Sequence, residues 1–409
     1  MTNDMTRGRI LPQLIGFTIP LVLGNLFQLT YNAADSMIVG RYLGGQALAA
    51  VGTAGPIMNL AILFISGMCM GAGILMSTQY GAKQQDVLER QISTTLLSGL
   101  VFSFFVTLSM MVLAKPVLTL IRVPEEILDS ACGYLRIIFT GFLFTFAYNF
   151  FSSTLRALGD SKASLYFLVI SSVFNIAGDL LFVAVFRWGV NGSALATVLS
   201  QMICCLCCMI YIQKKVPLLR LGKRWLIFDK CLLSRTFSFG ITSALQLMCV
   251  QLGKVCVQSM VNMQGIAFMA AFTAVNRVDD FALTPQQNIA HAATTFMAQN
   301  KGAGQEKRMK QGFFCGVLVE LCYTAAVGIC VFLFAEPIMK LFLPEESAEV
   351  IVLGVTYLQL ISFLYLLSGS GNIVQGFFRG IGDLKVTLIS SLLNISVRVI
   401  AVFFMLQVL

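Results

Sequence analysis

Two aspartates, Asp35 and Asp179, lie inside long apolar stretches of the sequence. Asn175 precedes Asp179 by one helical turn, so this amide and this carboxylate share one face of a helix. Ionisable groups inside a bilayer are costly and usually face a cavity or a partner. Two carboxylates with nearby amide and hydroxyl oxygens suit a proton, because burial beside a second acid favours a protonated carboxyl, or a small cation such as sodium. The alternative is that Asp35 only caps or solvates a helix end.

The composition indicates that most of the surface meets lipid. Hydrophobic residues make up 57% of the chain and charged residues 11%, whereas soluble proteins are about 25% charged. A helix crosses the hydrocarbon with roughly 20 apolar residues. The sequence therefore predicts an all-α polytopic membrane protein. We count eleven such segments: 10 to 40, 46 to 78, 88 to 114, 127 to 155, 163 to 186, 189 to 212, 232 to 262, 265 to 298, 311 to 335, 350 to 378 and 386 to 409.

The second half of the chain repeats the landmarks of the first about 220 residues later. The repeated pairs are Gln79, Gly81 and Ala82 with Gln299, Gly302 and Ala303, Pro124-Glu125-Glu126 with Pro344-Glu345-Glu346, and the loop Arg156 to Asp160 with the loop Arg379 to Asp383. Six spans return the chain to its starting side, so the copies are expected to be parallel repeats. We expect an N-terminal lobe at 1–212, a cytoplasmic linker at 213–231 and a C-terminal lobe at 232–409. The second lobe is expected to be incomplete, with a twelfth helix missing after Leu409.

The basic residues predict the orientation in the membrane. With the N-terminus in the cytoplasm, most Lys and Arg residues fall in inner loops, as the positive-inside rule requires. The formal charge of +9 is then explained by topology and by attraction to anionic inner-leaflet lipid. We expect a multi-pass protein of the cell inner (plasma) membrane that contacts membrane lipid and binds no nucleic acid.

The sequence argues against an enzyme. It contains a single histidine and no catalytic constellation. It also lacks the GxxxxGK[ST] loop that binds the phosphates of ATP. No catalytic residue and no cofactor is predicted, and an ion gradient is the expected source of energy.

These features together resemble the bacterial type of the multidrug and toxic compound extrusion (MATE) family. The resemblance covers nearly the whole chain and rests on the order and spacing of its motifs. The motifs are Pro20 followed by Asp35 and Gly40-Arg41, the Gln79/Gly81-Ala82 turn, the Arg156-Ala157-Leu158-Gly159-Asp160 loop, Asn175 with Asp179, Gly192 to Thr197, the Gln299-Asn300 turn with Gly302-Ala303, and the Arg379-Gly380 loop with Gly382-Asp383.

The resemblance implies two six-helix lobes in a V around a central cavity. It also implies a secondary active multidrug exporter that antiports drugs against inward proton or sodium flow by alternating access. The implied substrates are small, cationic and amphipathic molecules, and we expect a monomer.

The resemblance further implies one cation-coupling site in the N-terminal lobe, for H⁺ or Na⁺. Its matching residues are Asp35, Asn175, Asp179 and Thr197. Occupation of this site is expected to bend the first helix near Pro20, where a backbone hydrogen bond is already missing.

The second lobe departs from one branch of the family, which places carboxylates on helices seven and ten. Here the seventh predicted span contains Gln246 and the tenth contains Gln375, and neither span contains an acidic residue at such a position. We therefore do not expect a second cation site in this lobe. On helix eight, Arg277 precedes Asp279 and Asp280 closely enough for local pairing. An ion pair and a substrate contact are equally compatible with that pattern.

Three alternatives remain at the level of the sequence. A lipid-linked oligosaccharide flippase of the same superfamily would favour extra spans and a cavity lined with basic residues. A membrane-embedded enzyme would need a catalytic constellation. A channel would not need the duplication, which favours alternating access. The sequence leaves open the choice between proton and sodium and the list of drugs.

Overall fold

The computed structural model describes residues 4–217, 226–342 and 348–408, and within these ranges it is helical with no strand. The all-α fold predicted from the sequence is confirmed. The helices are α1 Ile10–Leu43, α2 Gly45–Gly81, α3 Gln85–Leu120, α4 Glu125–Thr140, α5 Phe142–Ala157, α6 Ser161–Asp179 with a π-helical segment Leu180–Val185, α7 Gly189–Lys215, α8 Lys230–Asn262, α9 Ile266–Gly302, α10 Glu306–Leu333, α11 Ala335–Phe342, α12 Ala348–Gly380 and α13 Leu384–Val408.

Most of these helices are long and apolar enough to cross a bilayer. Within the described ranges nine spans meet that criterion: α1, α2, α3, α6 with its π-helical segment, α7, α8, α10, and most of α12 and α13. α4 and α5 meet the criterion only when they are taken together, and they are bent by 47° at their junction. The sequence predicted one unbroken span here, from 127 to 155. The bend lies at Gly141, where a Cβ would lie 2.5 Å from a methyl carbon of Val198.

The remaining predicted span, 265 to 298, corresponds to α9, which is too polar to be recognised by hydropathy alone. Several of its polar side chains are buried, namely Gln286, Asn288, Thr294, Gln299 and Asn300. α9 packs against α10 and α12. Its polar face is therefore covered by protein, which explains how a helix of this composition fits the fold.

The chain divides into two compact units, one of which combines a short segment near the beginning of the chain with its second half. The first unit comprises Met1–Asp4 and Leu23–Ala244, and the second comprises Met5–Val22 and Leu245–Leu409. α1 and α8 are therefore each divided between the units. The lobe boundaries at 212 and 232 stay a prediction. The middle of the predicted linker (218–225) and the repeated Pro344-Glu345-Glu346 lie outside the described residues.

The first unit has a core of aromatic and small side chains. Phe139, Phe150 and Leu155 are almost completely buried in it, and the rings of Phe146 and Phe150 stack with centroids 5.9 Å apart. Small residues permit close packing between α2 and α5, where Ser153 Oγ donates a hydrogen bond of 2.8 Å to Cys69 O. Such contacts matter because lipid provides little hydrophobic drive for helix association, so packing and hydrogen bonds must hold helices together.

The second unit includes the beginning of the chain, here called the N-terminal segment (residues 5–22). Its apolar side chains pack against α9 through Met5, Leu14, Phe17, Leu21, Ala292, Phe296 and Met297. Met5 N donates to Gln299 Oε1 at 3.0 Å, and Arg308 Nη1 donates to Gly8 O at 2.8 Å. The N-terminal segment is thus held by residues encoded almost 300 positions later.

Candidate functional site

The predicted cation site is built on the contact between α6 and α7. A Cβ at Gly178 would lie 3.0 Å from Ala196 Cβ, and a Cβ at Gly192 would lie 3.1 Å from Phe182 Cβ, so glycine permits this close approach. α6 ends at Asp179, and the chain continues as the π-helical segment. π-helical turns are rare and are frequent at functional sites. Asp179 therefore lies where the helical hydrogen-bonding pattern changes.

The structure brings together the four residues that the resemblance assigned to the cation site. Ser193 Oγ donates a hydrogen bond of 2.9 Å to Asp35 Oδ1. Asn175 Nδ2 donates to Thr197 Oγ1 at 3.2 Å. Asp179 is close enough to Asp35 for the two carboxyl groups to interact electrostatically. All these residues belong to the first unit.

Three oxygen atoms at the centre of this group have no donor among the described residues. They are both carboxyl oxygens of Asp179 and the side-chain oxygen of Asn175. Asp179 is 0% and Asn175 2% exposed, so water does not solvate them freely. Leaving a buried acceptor unpaired costs about 1–3 kcal/mol. A proton or a sodium ion is the kind of ligand that such a set of acceptors fits.

Two neighbours of the site were missed by the sequence reasoning. Ser193 enters the sequence analysis only within the Gly192 to Thr197 motif, yet its hydroxyl donates a hydrogen bond to Asp35. Tyr134, on α4, is 3% exposed and lies within electrostatic reach of both Asp35 and Asp179. Tyr134 is near these residues because of the way α4 packs. The spacing of residues along the chain therefore does not predict this proximity.

The bend expected at Pro20 stays a prediction. α1 runs through Pro20 as one helix, although proline removes the backbone donor that would reach the carbonyl of Gly16. The division of α1 between the two units falls between Val22 and Leu23, close to this point. The turn of α1 that lacks a backbone hydrogen bond therefore lies next to the position at which α1 is divided between the units.

In the second unit, Gln246 and Gln375 also meet. Gln246 Nε2 donates to Gln375 Oε1 at 3.1 Å and to Ser391 Oγ at 3.1 Å. This network is neutral and joins α8, α12 and α13. It contains no carboxylate.

The acids on α9 pair with other helices and not with Arg277. Lys254 Nζ on α8 lies 3.4 Å from Asp280 Oδ1, and Tyr365 on α12 donates a hydrogen bond of 2.5 Å to Asp279 Oδ1. Within the described part of the chain, Arg277 has no acidic partner. The partners of these two acids therefore lie on other helices, and the choice between an ion pair and a substrate contact stays open.

The cysteines give no indication of a metal centre. All are free thiols, and in the described ranges no group of three or more His, Cys, Asp or Glu residues could hold a metal ion. Cys204 and Cys208 are buried in the core of the first unit, where they pack as small apolar side chains.

Comparison with known proteins connects this geometry to a family. The MatE family model matches residues 20–181 and, a second time, residues 242–404. The chain belongs to the MatE family. The resemblance seen in the motifs is confirmed, and one match in each half agrees with the internal duplication. MatE proteins are membrane transporters, so this multi-pass membrane protein is a transporter and not an enzyme.

Individual MatE relatives match over most of their length. The probable multidrug resistance protein YpnP of Bacillus subtilis is 32% identical over 397 residues, which cover 96% of this chain and 87% of the relative. YoeA of the same organism, also a probable multidrug resistance protein, is 32% identical over 373 residues, 90% of this chain and 80% of the relative. A crystal structure of MATE in complex with MaL6 has a TM-score of 0.89 at 23% identity and covers 95% of this chain and 87% of that one.

Proposed function

We propose that this MatE protein is an ion-coupled multidrug exporter of the plasma membrane. It moves amphipathic organic cations outwards by alternating access while protons or sodium ions enter, and its N-terminus is cytoplasmic. The observation that carries the proposal is the set of unpaired buried oxygens on Asp179 and Asn175 beside Asp35. The names of relatives that match over most of their length support the export of drugs.

The coupling follows from the repulsion between the two carboxylates. When both are ionised they repel each other, and in a buried site this repulsion is much stronger than in water. A proton or a sodium ion removes it. Asp35 belongs to α1 and Asp179 to α6, so occupancy changes the force between these two helices. α1 responds near Pro20, where one backbone hydrogen bond of the helix is missing.

The site accommodates either ion, with different consequences. A sodium ion would contact the oxygens of Asp179 and Asn175 together. A proton would be bound to one carboxyl oxygen, and the resulting hydroxyl group would donate a hydrogen bond to another of these acceptors. The two ions therefore require separate driving gradients in a transport assay.

The proposal is tested in proteoliposomes loaded with a fluorescent organic cation. A pH gradient and a sodium gradient are imposed separately on the wild-type protein and on the Asp35→Asn and Asp179→Asn variants. We expect one of the gradients to drive transport by the wild type. Both substitutions should abolish it, because each removes one of the two interacting charges.

Asp129→Asn serves as the matched control. Asp129 lies in the same unit, and its side chain is 88% exposed, so this variant should transport like the wild type. Transport that survives in both Asp35→Asn and Asp179→Asn would refute the assignment of the coupling site.

A further inference from the structure

One acidic side chain of the second unit has no part in the proposed coupling site. Glu320 lies in the middle of α10, a helix apolar enough to cross a bilayer. Glu320 is 0% exposed, and neither of its carboxyl oxygens accepts a hydrogen bond from the described residues. An ionised carboxylate is very costly to bury without a partner. Glu320 therefore needs a ligand that neutralises it.

The carboxyl group lies where α10 crosses α12. A Cβ at Gly369 on α12 would be 2.9 Å from Glu320 Oε1 and 2.5 Å from a methyl carbon of Thr324. Along the same contact, a Cβ at Gly316 on α10 would be 3.0 Å from Ile373 Cδ1. Small residues on both helices thus permit a close crossing, and the acid is enclosed in it.

α9, which also packs against α10 and α12, contributes apolar side chains here. Ile289 and Ala293 are buried together with Ile373. Within the described ranges no basic side chain offsets the burial of Glu320. The negative charge of an ionised Glu320 would therefore be uncompensated.

The titratable neighbours of Glu320 are tyrosines that are already engaged. Tyr323 on α10 lies within electrostatic reach of Glu320, and its hydroxyl donates to Ala282 O on α9 at 3.0 Å. On α12, Tyr365 interacts with Tyr323 and donates its hydroxyl to Asp279. Neither hydroxyl is directed to Glu320.

The internal repeat shows the same contact without an acid. When the beginnings of α3 and α10 are aligned, Glu320 corresponds to Gly99, and when the ends of α5 and α12 are aligned, Gly369 corresponds to Phe146. In the first unit a Cβ at Gly99 would contact the ring of Phe146. An aromatic ring thus covers a glycine there, whereas a carboxyl group covers a glycine here. Packing alone does not require an acid at this crossing.

A proton fits this position better than a metal ion does. Hard cations are held by several oxygen ligands, but Glu320 supplies a single carboxyl group. The nearby Thr324 turns a methyl carbon towards Gly369, and its hydroxyl donates to Leu321 O at 3.2 Å. A proton needs one carboxyl oxygen and no additional space.

We propose that Glu320 is a proton-binding site of the second unit, which holds its proton while α10 and α12 are packed as in this structure and releases it when they separate. Water that enters between the separated helices takes the proton as hydronium and solvates the carboxylate that remains. α8 and α12 lack the acids that one branch of the family places there, but α10 carries one of its own. The inference does not rest on the proposed function.

Infrared spectroscopy of the full chain in detergent tests the bound proton. A protonated carboxyl group has a carbonyl stretching band that a carboxylate lacks, and at about pH 7 exposed glutamates are ionised. We expect the wild type to show such a band that is absent from Glu320→Gln, whose amide has nearly the same shape. Glu306→Gln is the matched control, because Glu306 is an exposed residue at the start of the same helix. It should keep the band.

Thermal unfolding tests the release of the proton. The unfolded chain exposes Glu320 to water and binds the proton more weakly, so a rise in pH favours unfolding of the wild type but not of a variant that cannot ionise here. From about pH 5 to about pH 9, the folding equilibrium constant of the wild type should fall relative to that of Glu320→Gln by up to about tenfold for each pH unit. Glu306→Gln should follow the wild type.

Two results would overturn the inference. One is a carboxyl band of equal intensity in the wild type and in Glu320→Gln. The other is a difference between their unfolding midpoints that is the same at every pH. If Glu320→Gln does not fold, Glu320→Met replaces it in both measurements, because it also removes the carboxyl group. Neither measurement involves transport, so a failure of the proposed function leaves both results interpretable.

Discussion

Replacement of Gly376 by alanine should destabilise the second unit, whereas the same replacement at Gly371 should not. Gly376 lies where α12 crosses α9, and a Cβ there would be 2.6 Å from Ala290 O and 3.1 Å from Ala290 Cα. At Gly371, on the same helix, nothing lies within 4 Å of a Cβ. The crossing is also fixed by Thr294 Oγ1, which donates to Gly376 O at 3.1 Å.

The magnitude follows from the distances. Ordinary contacts begin near 3.4 Å, so the Gly376→Ala variant must open the crossing by about 0.8 Å. Overpacking of this kind costs about 1–3 kcal/mol. Both alanines also gain about 1 kcal/mol in helix propensity relative to glycine. This gain cancels when the two variants are compared, so their difference reports the steric conflict alone.

The assay is thermal unfolding in detergent followed by circular dichroism. For a unit of this size a difference of 1–3 kcal/mol separates the apparent midpoints by roughly 2–12 °C, with Gly376→Ala the lower. Hydrogen exchange should show faster exchange in α9 in that variant. If the midpoints of Gly376→Ala and Gly371→Ala coincide, the close crossing of α9 and α12 is refuted.

Three further substitutions test buried polar groups by the same thermal assay. Asp160→Ala should cost about 1 kcal/mol, because Asp160 caps the start of α6 and accepts a hydrogen bond of 2.7 Å from Tyr211; an unchanged midpoint would contradict this. Tyr365→Phe should cost about 1–3 kcal/mol, since it leaves the buried Asp279 without its hydroxyl donor, and a neutral effect would contradict this. Glu320→Met should stabilise by a similar amount, because Glu320 is 0% exposed and neither carboxyl oxygen has a partner among the described residues; a lower midpoint would show that the carboxyl is needed for folding.

The sequence predicted those features that depend on composition and local spacing. Asp35 and Asp179 stand out because a carboxylate within an apolar stretch is costly, and Asn175 follows from helical periodicity. The duplication and the family motifs extended the prediction from single residues to the fold of the whole chain. The residues of the candidate cation site could therefore be named without coordinates, and their role in binding a cation stays a prediction.

Contacts between distant helices could not be predicted in the same way. The hydrogen bond from Ser193 to Asp35 and the approach of Tyr134 depend on how α1, α4 and α7 pack. Asp280 illustrates the same limit, because nothing in the local sequence indicates that its partner is Lys254 on α8. Local pattern specifies which groups are unusual, and tertiary packing decides which of them meet.

The attachment of the N-terminal segment has a consequence for biosynthesis. Met5 and Phe17 are translated before the side chains that bury them, such as Phe296 and Met297, which follow almost 300 residues later. The first helix is therefore made before α9, against which its beginning packs, exists. The contacts that bury the beginning of α1 therefore form only after α9 has been made.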